Sequence, residues 1–347
     1  MKGFMRIYKW IVLAIMFQII VFSYLEFVYL PNRGTVRATS FEFSDDEAED
    51  KSIKIPDDAD GITVSYDGSY AVYMQKGKLT VIDVKKKGKV LKALEASGGE
   101  FTFFRWLPDR DMLIYSIKEP EGKTGQVMIS TFDLGPDLER SYPKITGLPD
   151  GSVVTDIELS PLTNIVYTMV KTGKTRIKVY KYNIMDDLSS VINTGVNAVF
   201  KETVYSDNLI YQDEEGKITV RSGKSGKKTY LPVKGSLKLL AVDAEDNIYA
   251  GQLDDTGKIT AVHYGKADAA SKEWKKTELG ASFELSKVVI TPNGNIYTVS
   301  DMEKSVSNVT NGNKFTYGGE LLEVVDDYIV SKDDRKLKLT AITKKDE

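Results

Sequence analysis

An all-β fold, a seven-bladed β-propeller behind one N-terminal transmembrane helix, is what this sequence predicts. Three observations carry the expectation. A short alternating strand, a polar turn and a second strand opening on Tyr or Ile-Tyr recur along the chain; helical periodicity is nearly missing after residue 59; and one long apolar run follows basic residues at the N-terminus.

Taken in chain order, residues 1–9 hold Lys2, Arg6 and Lys9 and read as a short cytoplasmic segment. The apolar run over 10–30 follows. Twenty helical residues rise roughly 30 Å, the thickness of a bilayer core. Positive charge ahead of the run and acidic sequence after it put the N-terminus inside and the rest outside a bacterial-type cytoplasmic membrane. Trp10, Tyr24 and Tyr29 sit near the ends of the run, where such rings favour the headgroups. The competing reading is a signal peptide cleaved at Val36-Arg37-Ala38, but its apolar core is shorter than this run. Gln18 and Glu26 lie within the run and are candidate contacts for a partner helix. Residues 31–51, with Phe41–Asp50 strongly acidic, read as a solvated linker.

From residue 52 the repeats begin. The first is Ile62–Tyr73 with Lys78–Val84, and the second is Phe101–Asp109 with Met112–Tyr115 and Gln126–Ser130. Asp156–Pro161, Asn164–Tyr167 and Thr175–Tyr180 make a third; Val204–Tyr211 with Lys217–Val220 makes a fourth. Leu240–Ala250 aligns with Val289–Thr298, sharing Asn-Ile-Tyr after the turn, and Leu321–Val330 with Lys336–Ile342 ends the series. The turns recur at a spacing of roughly 33 to 52 residues, the period of four-stranded blades. One such sheet cannot bury its own apolar face, whereas a ring of them stacks face to face. The last unit has only three strands. Ser52–Pro56 is a short alternating strand with no other evident place, so it is expected to complete that blade and close a ring over 52–347. Six blades with an irregular last segment is the alternative count.

The Ser65–Tyr73 turn, the Trp106–Asp109 turn and the Glu158–Pro161 turn resemble the repeat of TolB-like and dipeptidyl-peptidase-IV N-terminal propellers, while the two Asn-Ile-Tyr turns resemble those of NHL-type propellers. The resemblance implies a propeller and leaves its function open, because Asp and Gly serve tight-turn geometry here.

Composition narrows the chemistry. The chain has no cysteine, so disulfides, thiolate metal sites and Cys nucleophiles are excluded. Its net charge is −3 although residues 1–40 are basic, which argues against nucleic acid as a partner. The one histidine, His263, alternates within a strand and reads as structural. No Gly-x-Ser-x-Gly elbow is present. Ser222–Lys228 reads as a hairpin rather than a phosphate loop, Asp243–Asn247 as a turn rather than a metal site, and Asn308-Val-Thr310 as a chance match to a glycosylation acceptor. No cofactor and no metal site is expected.

Propeller ligands meet the channel mouth or its lining, so charged or aromatic residues interrupting the innermost strands are the candidate channel or partner-binding residues. They are Arg105 and Trp106, Asp156 and Glu158, Lys238, and Lys287. The expected function is a non-catalytic binding or scaffolding component of a cell-envelope assembly, with a protein or an envelope polymer as partner and the membrane reached through the chain's own helix. The alternatives are a glycan- or peptide-directed enzyme using channel carboxylates, or a surface sensor working through a partner membrane protein.

Overall fold

Strands form where apolar residues alternate with polar ones, and they stop where Asp, Asn or Gly permits a tight turn. The computed structural model describes residues 2–24, 49–119, 125–160 and 162–342. Its chain divides into two units, Met1–Asp46 and Glu47–Glu347.

In the first unit Lys2–Tyr24 is a helix. It takes in the basic residues expected to precede the span, and its described apolar part, Trp10 to Tyr24, rises about 22 Å. Among the described residues no helix is long and apolar enough to cross a membrane. Gln18 lies on this helix with its side chain exposed. Residues 25–30 of the expected span, Glu26, the Val36–Ala38 site and the linker as far as residue 48 lie outside the described residues.

The second unit is a ring of seven antiparallel sheets, not six. Blades 1 to 6 span residues 60–95, 100–148, 153–195, 199–230, 237–283 and 288–316. Blade 7 takes residues 320–341 and is completed by Lys51–Lys54, which pairs Ile53 with Leu337 and Lys51 with Leu339. Blades 1 and 3 to 6 are ordered along the chain from the first strand outward; blade 7 takes its outermost strand from Lys51–Lys54, and the second blade has a fifth strand, both Leu138–Ser141 and Ile145–Leu148 pairing with Gly125–Asp133. The first strands are Asp60–Val64, Glu100–Leu107, Val153–Ser160, Val199–Glu202, Leu237–Val242, Val288–Ile290 and Glu320–Val324. They lie against one another from blade to blade and line the channel. Blade 4 was expected to open at Val204; its first strand is Val199–Glu202 instead, and residues 203–207 form the turn.

Seven apolar clusters hold the ring, one at each joint. Val72, Leu79 and Val81 of blade 1 meet Leu113 and Tyr115 of blade 2, and Tyr167, Met169 and Val179 of blade 3 meet Phe200 and Tyr211 of blade 4. The closing joint joins Tyr328, Val330 and Leu339 to Val64, Ala71 and Ile82, with Ile53 inside the same cluster. Burying each such side chain contributes about 1.5–3 kcal/mol, so the interfaces carry the fold. Gly68 shows how close the closing joint is. It sits at φ +64°, and a Cβ there would lie 2.7 Å from the Tyr328 ring. The aligned turns of blades 5 and 6 need the same left-handed residue after the first strand. Asp246 fills it at φ 65° and Gly294 at φ 78°.

Because the strands alternate in direction, the turns from first to second and from third to fourth strands open on one face, called here the turn face. The remaining loops open on the other.

Candidate functional site

The first strands bring three of the expected residues together. A register shift between Val154 and Asp156 re-aims that strand, after which Asp156 and Glu158 share a side by the two-residue period. Arg105 of blade 2 reaches across to both: Nη2 donates to Glu158 Oε2 at 3.2 Å, and Nη1 lies 3.9 Å from Asp156 Oδ1. Lys201 of blade 4 completes the group, donating from Nζ to Glu158 Oε1 at 2.6 Å. Glu158 keeps only 10% of its side-chain surface and Arg105 29%.

Two cations therefore face two carboxylates across three blades. Burial pushes the Glu158 carboxyl up, but Arg105 and Lys201 outweigh it and hold the group below the usual range. Asp156 goes the other way, raised by burial and by the charge on Glu158. Burial works against the charges of Arg105 and Lys201, and Glu158 more than restores them. Next to Lys201, Glu202 is buried with neither carboxylate oxygen hydrogen-bonded. Burial, then Asp207 and Glu158, raises it well above the ordinary carboxylate range.

Trp106 does not join them. As Arg105's neighbour on the strand it points to the opposite side, where its ring stacks on Tyr70 and Nε1 donates to the Thr63 carbonyl at 3.3 Å. It packs blade 1 against blade 2. Lys238 stands apart on blade 5, beside a hollow of about 430 Å³ that also takes in Asp213 and Glu214. Lys287 lies in a 3-10 turn, Leu285–Lys287, just before the first strand of blade 6, and pairs with Asp301 at 2.5 Å.

A further carboxylate on a first strand, Glu323, was not singled out by sequence. It reaches from blade 7 to blade 1, accepting from Val64 N at 2.6 Å and Thr63 Oγ1 at 3.0 Å. With no cation beside it, burial raises its carboxyl to about 7. Lys201 escaped notice because blade 4 was framed five residues too late, and Glu202 with it.

The remaining motifs resolve as structure. Asp243 accepts from Glu245 N, Asn247 N and Asn247 Nδ2 within its turn and from Tyr249 OH on the strand that follows. Ser222–Lys228 is the hairpin between Ile218–Ser222 and Lys228–Tyr230. His263 Nε2 meets Gln252 Oε1 at 3.0 Å, and burial together with Lys276 lowers its pKa. Asn308 is buried, its side-chain oxygen accepting from Thr310 N and Asn311 N.

The turn face carries a different kind of surface. Leu162, Ile184, Met185 and Tyr205 stand 58, 69, 78 and 65% exposed on the turns of blades 3 and 4. Beside Tyr205, between blades 4 and 5, is a hollow of about 570 Å³ lined by Ser206, Asn208, Glu245, Asp246, Lys266 and Asp268. The Tyr205 turn is held rigidly. Asp246 accepts from the amides of Val204 at 2.5 Å, Tyr205 at 3.1 Å and Ser206 at 3.1 Å, and Ser160 Oγ donates to the Val204 carbonyl at 2.6 Å.

No family model matches the chain, and no curated protein matches it. Solved structures do. The β-propeller domain of Cps50 (Swd1) from Myceliophteria thermophila is similar at 10% identity with a TM-score of 0.51, covering 82% of this chain and 96% of that one. A chain of the mitotic checkpoint complex is similar at 10% identity with a TM-score of 0.55, covering 90% of this chain and all of its own. At such identity the likeness shows the propeller fold alone. It does not single out TolB-like, dipeptidyl-peptidase-type or NHL-type repeats.

Proposed function

We propose that this protein is a non-catalytic binding or scaffolding module that works as a membrane-tethered component of an extracytoplasmic cell-envelope assembly, with a protein as its partner. One observation carries the binding reading. Arg105, Asp156, Glu158 and Lys201 of the first strands are spent on one another across blades, while large apolar side chains stand exposed on turns outside the channel. Asp156 and Glu158, the pair that carboxylate chemistry would use, face Arg105 and Lys201 rather than open space. That one similar chain belongs to a multi-component complex agrees with a scaffolding role. The tether rests on sequence: Lys2, Arg6 and Lys9 precede an apolar run.

Affinity capture of the full chain from gently solubilised membranes tests the proposal. A co-purifying protein at fixed stoichiometry is the expected result, together with retention of the chain in membranes washed at alkaline pH. Recovery of the free chain alone, where other complexes survive, contradicts the binding reading; release at alkaline pH contradicts the tether.

A further inference from the structure

We infer that the turn face over blades 3 to 5 docks a cationic polypeptide segment bearing bulky apolar residues, with Tyr205 as the central anchor. The inference rests on the binding reading above and names the face and the chemistry of the partner.

Tyr205 carries the first part. An aromatic ring two-thirds exposed in water is a poor use of apolar surface unless something covers it. Here its backbone is fixed in advance by three amides on one carboxylate, so little ordering remains to oppose binding. Rigid, amphipathic tyrosines of this kind are the typical centres of interfaces. Leu162, on the turn that Ser160 ties to the Val204 carbonyl, adds exposed apolar surface on the blade 3 side, and the hollow beside Tyr205 supplies a cavity for a side chain of the partner.

Charge fixes the nature of the occupant. The first-to-second turns carry Asp67, Asp109, Asp207, Glu245 and Asp326 and no lysine or arginine; Asp207 is paired with Lys181 and Asp109 with Arg110, and the third-to-fourth turns of blades 4 and 5 add Lys224, Lys227 and Lys272, which leaves acids in excess over blades 3 to 5. The hollow itself sets Glu245, Asp246 and Asp268 against Lys266 alone. Closeness of these acids is felt elsewhere on the same face: burial and then Asp67 raise the Asp111 carboxyl to about 6. An anionic partner would meet the excess of acids here, whereas lysines and arginines would relieve it.

The test uses the full chain in detergent and three labelled peptides, followed by fluorescence anisotropy: one of alternating lysine and leucine blocks, one with glutamate for lysine, and one with glycine for leucine. The lysine-leucine peptide is expected to bind saturably, the glutamate peptide not at all, and the glycine peptide at least about tenfold more weakly. Tyr205→Ala and Glu245→Lys, both at exposed positions, are each expected to weaken binding about tenfold. Glu214→Lys, on the opposite face, should leave it unchanged; thermal melts check that all three fold, and Tyr205→Ser replaces Tyr205→Ala if the latter does not. No saturable binding, equal binding by the variants, or equal loss with Glu214→Lys overturns the inference. So does a dimer of the chain that Tyr205→Ala dissolves, since a second copy would then be the occupant. Capture of a partner that survives both turn-face substitutions overturns this inference and leaves the binding reading standing. If nothing is captured, that reading falls while the peptide titration still decides this one.

Discussion

Two joints of the ring place carboxylates on their first strands and treat them in opposite ways. Between blades 2, 3 and 4, Glu158 lies between Arg105 and Lys201 and is held below the usual carboxylate range. Between blades 7 and 1, Glu323 meets only a backbone amide and a hydroxyl, and its carboxyl rises to about 7. Burial is common to both, so the difference lies in the neighbours: two cations hydrogen-bond Glu158, and among the described residues none does so for Glu323. Hydrogen bonds to Glu323 favour its ionised form, yet burial outweighs them.

The sharpest way to break this comparison is to remove the cation. Arg105→Met leaves Glu158 and Asp156 facing Lys201 alone, and a loss on the order of 3 kcal/mol is expected in urea unfolding, since an uncompensated buried charge is the main cost. The closing joint is tested next by Ile53→Ala, which opens a gap in the cluster shared by Leu337 and Leu339; about 2 kcal/mol is expected from thermal or denaturant melts.

Glu323→Gln sharpens the other side. A carboxyl raised above its unfolded value contributes stability that is fully present below about pH 4.5 and is lost as pH rises through about 7. The native protein should therefore lose melting temperature between these limits, and the glutamine variant should lose less of it. A native profile that instead rises across that window would contradict the assignment. The smallest effect belongs to Lys238→Ala. Lys238 has no ion pair or hydrogen bond among the described residues, so a change within about 0.5 kcal/mol is expected.

Much of the ring was legible because its demands are local. Turns such as Asp243–Asn247 and Thr291–Asn295 need a left-handed residue at one place, and Asp246 or Gly294 announces it. The pairing of Ile53 with Leu337 was legible only from a count of strands, since nothing in Ser52–Pro56 itself names its partner. The site was read less completely. Arg105, Asp156 and Glu158 stood out as charges within apolar strands, but that they meet depends on which strands neighbour each other. Trp106 shows the limit of reasoning by strand alone, because adjacent residues face different blades. Lys201 and Tyr205 were misread through one shift in the frame of blade 4: a four-residue strand leaves little alternation to read, and its turn looked like the strand itself.

The central claim is that the first-strand charges hold blades together. A double-mutant cycle on Arg105→Met and Glu158→Met measures it most directly by urea unfolding. A coupling above about 1 kcal/mol, with the double variant more stable than either single one, is the predicted result. Additive losses with no coupling would contradict it, and would return these residues to the list of groups held open for a ligand.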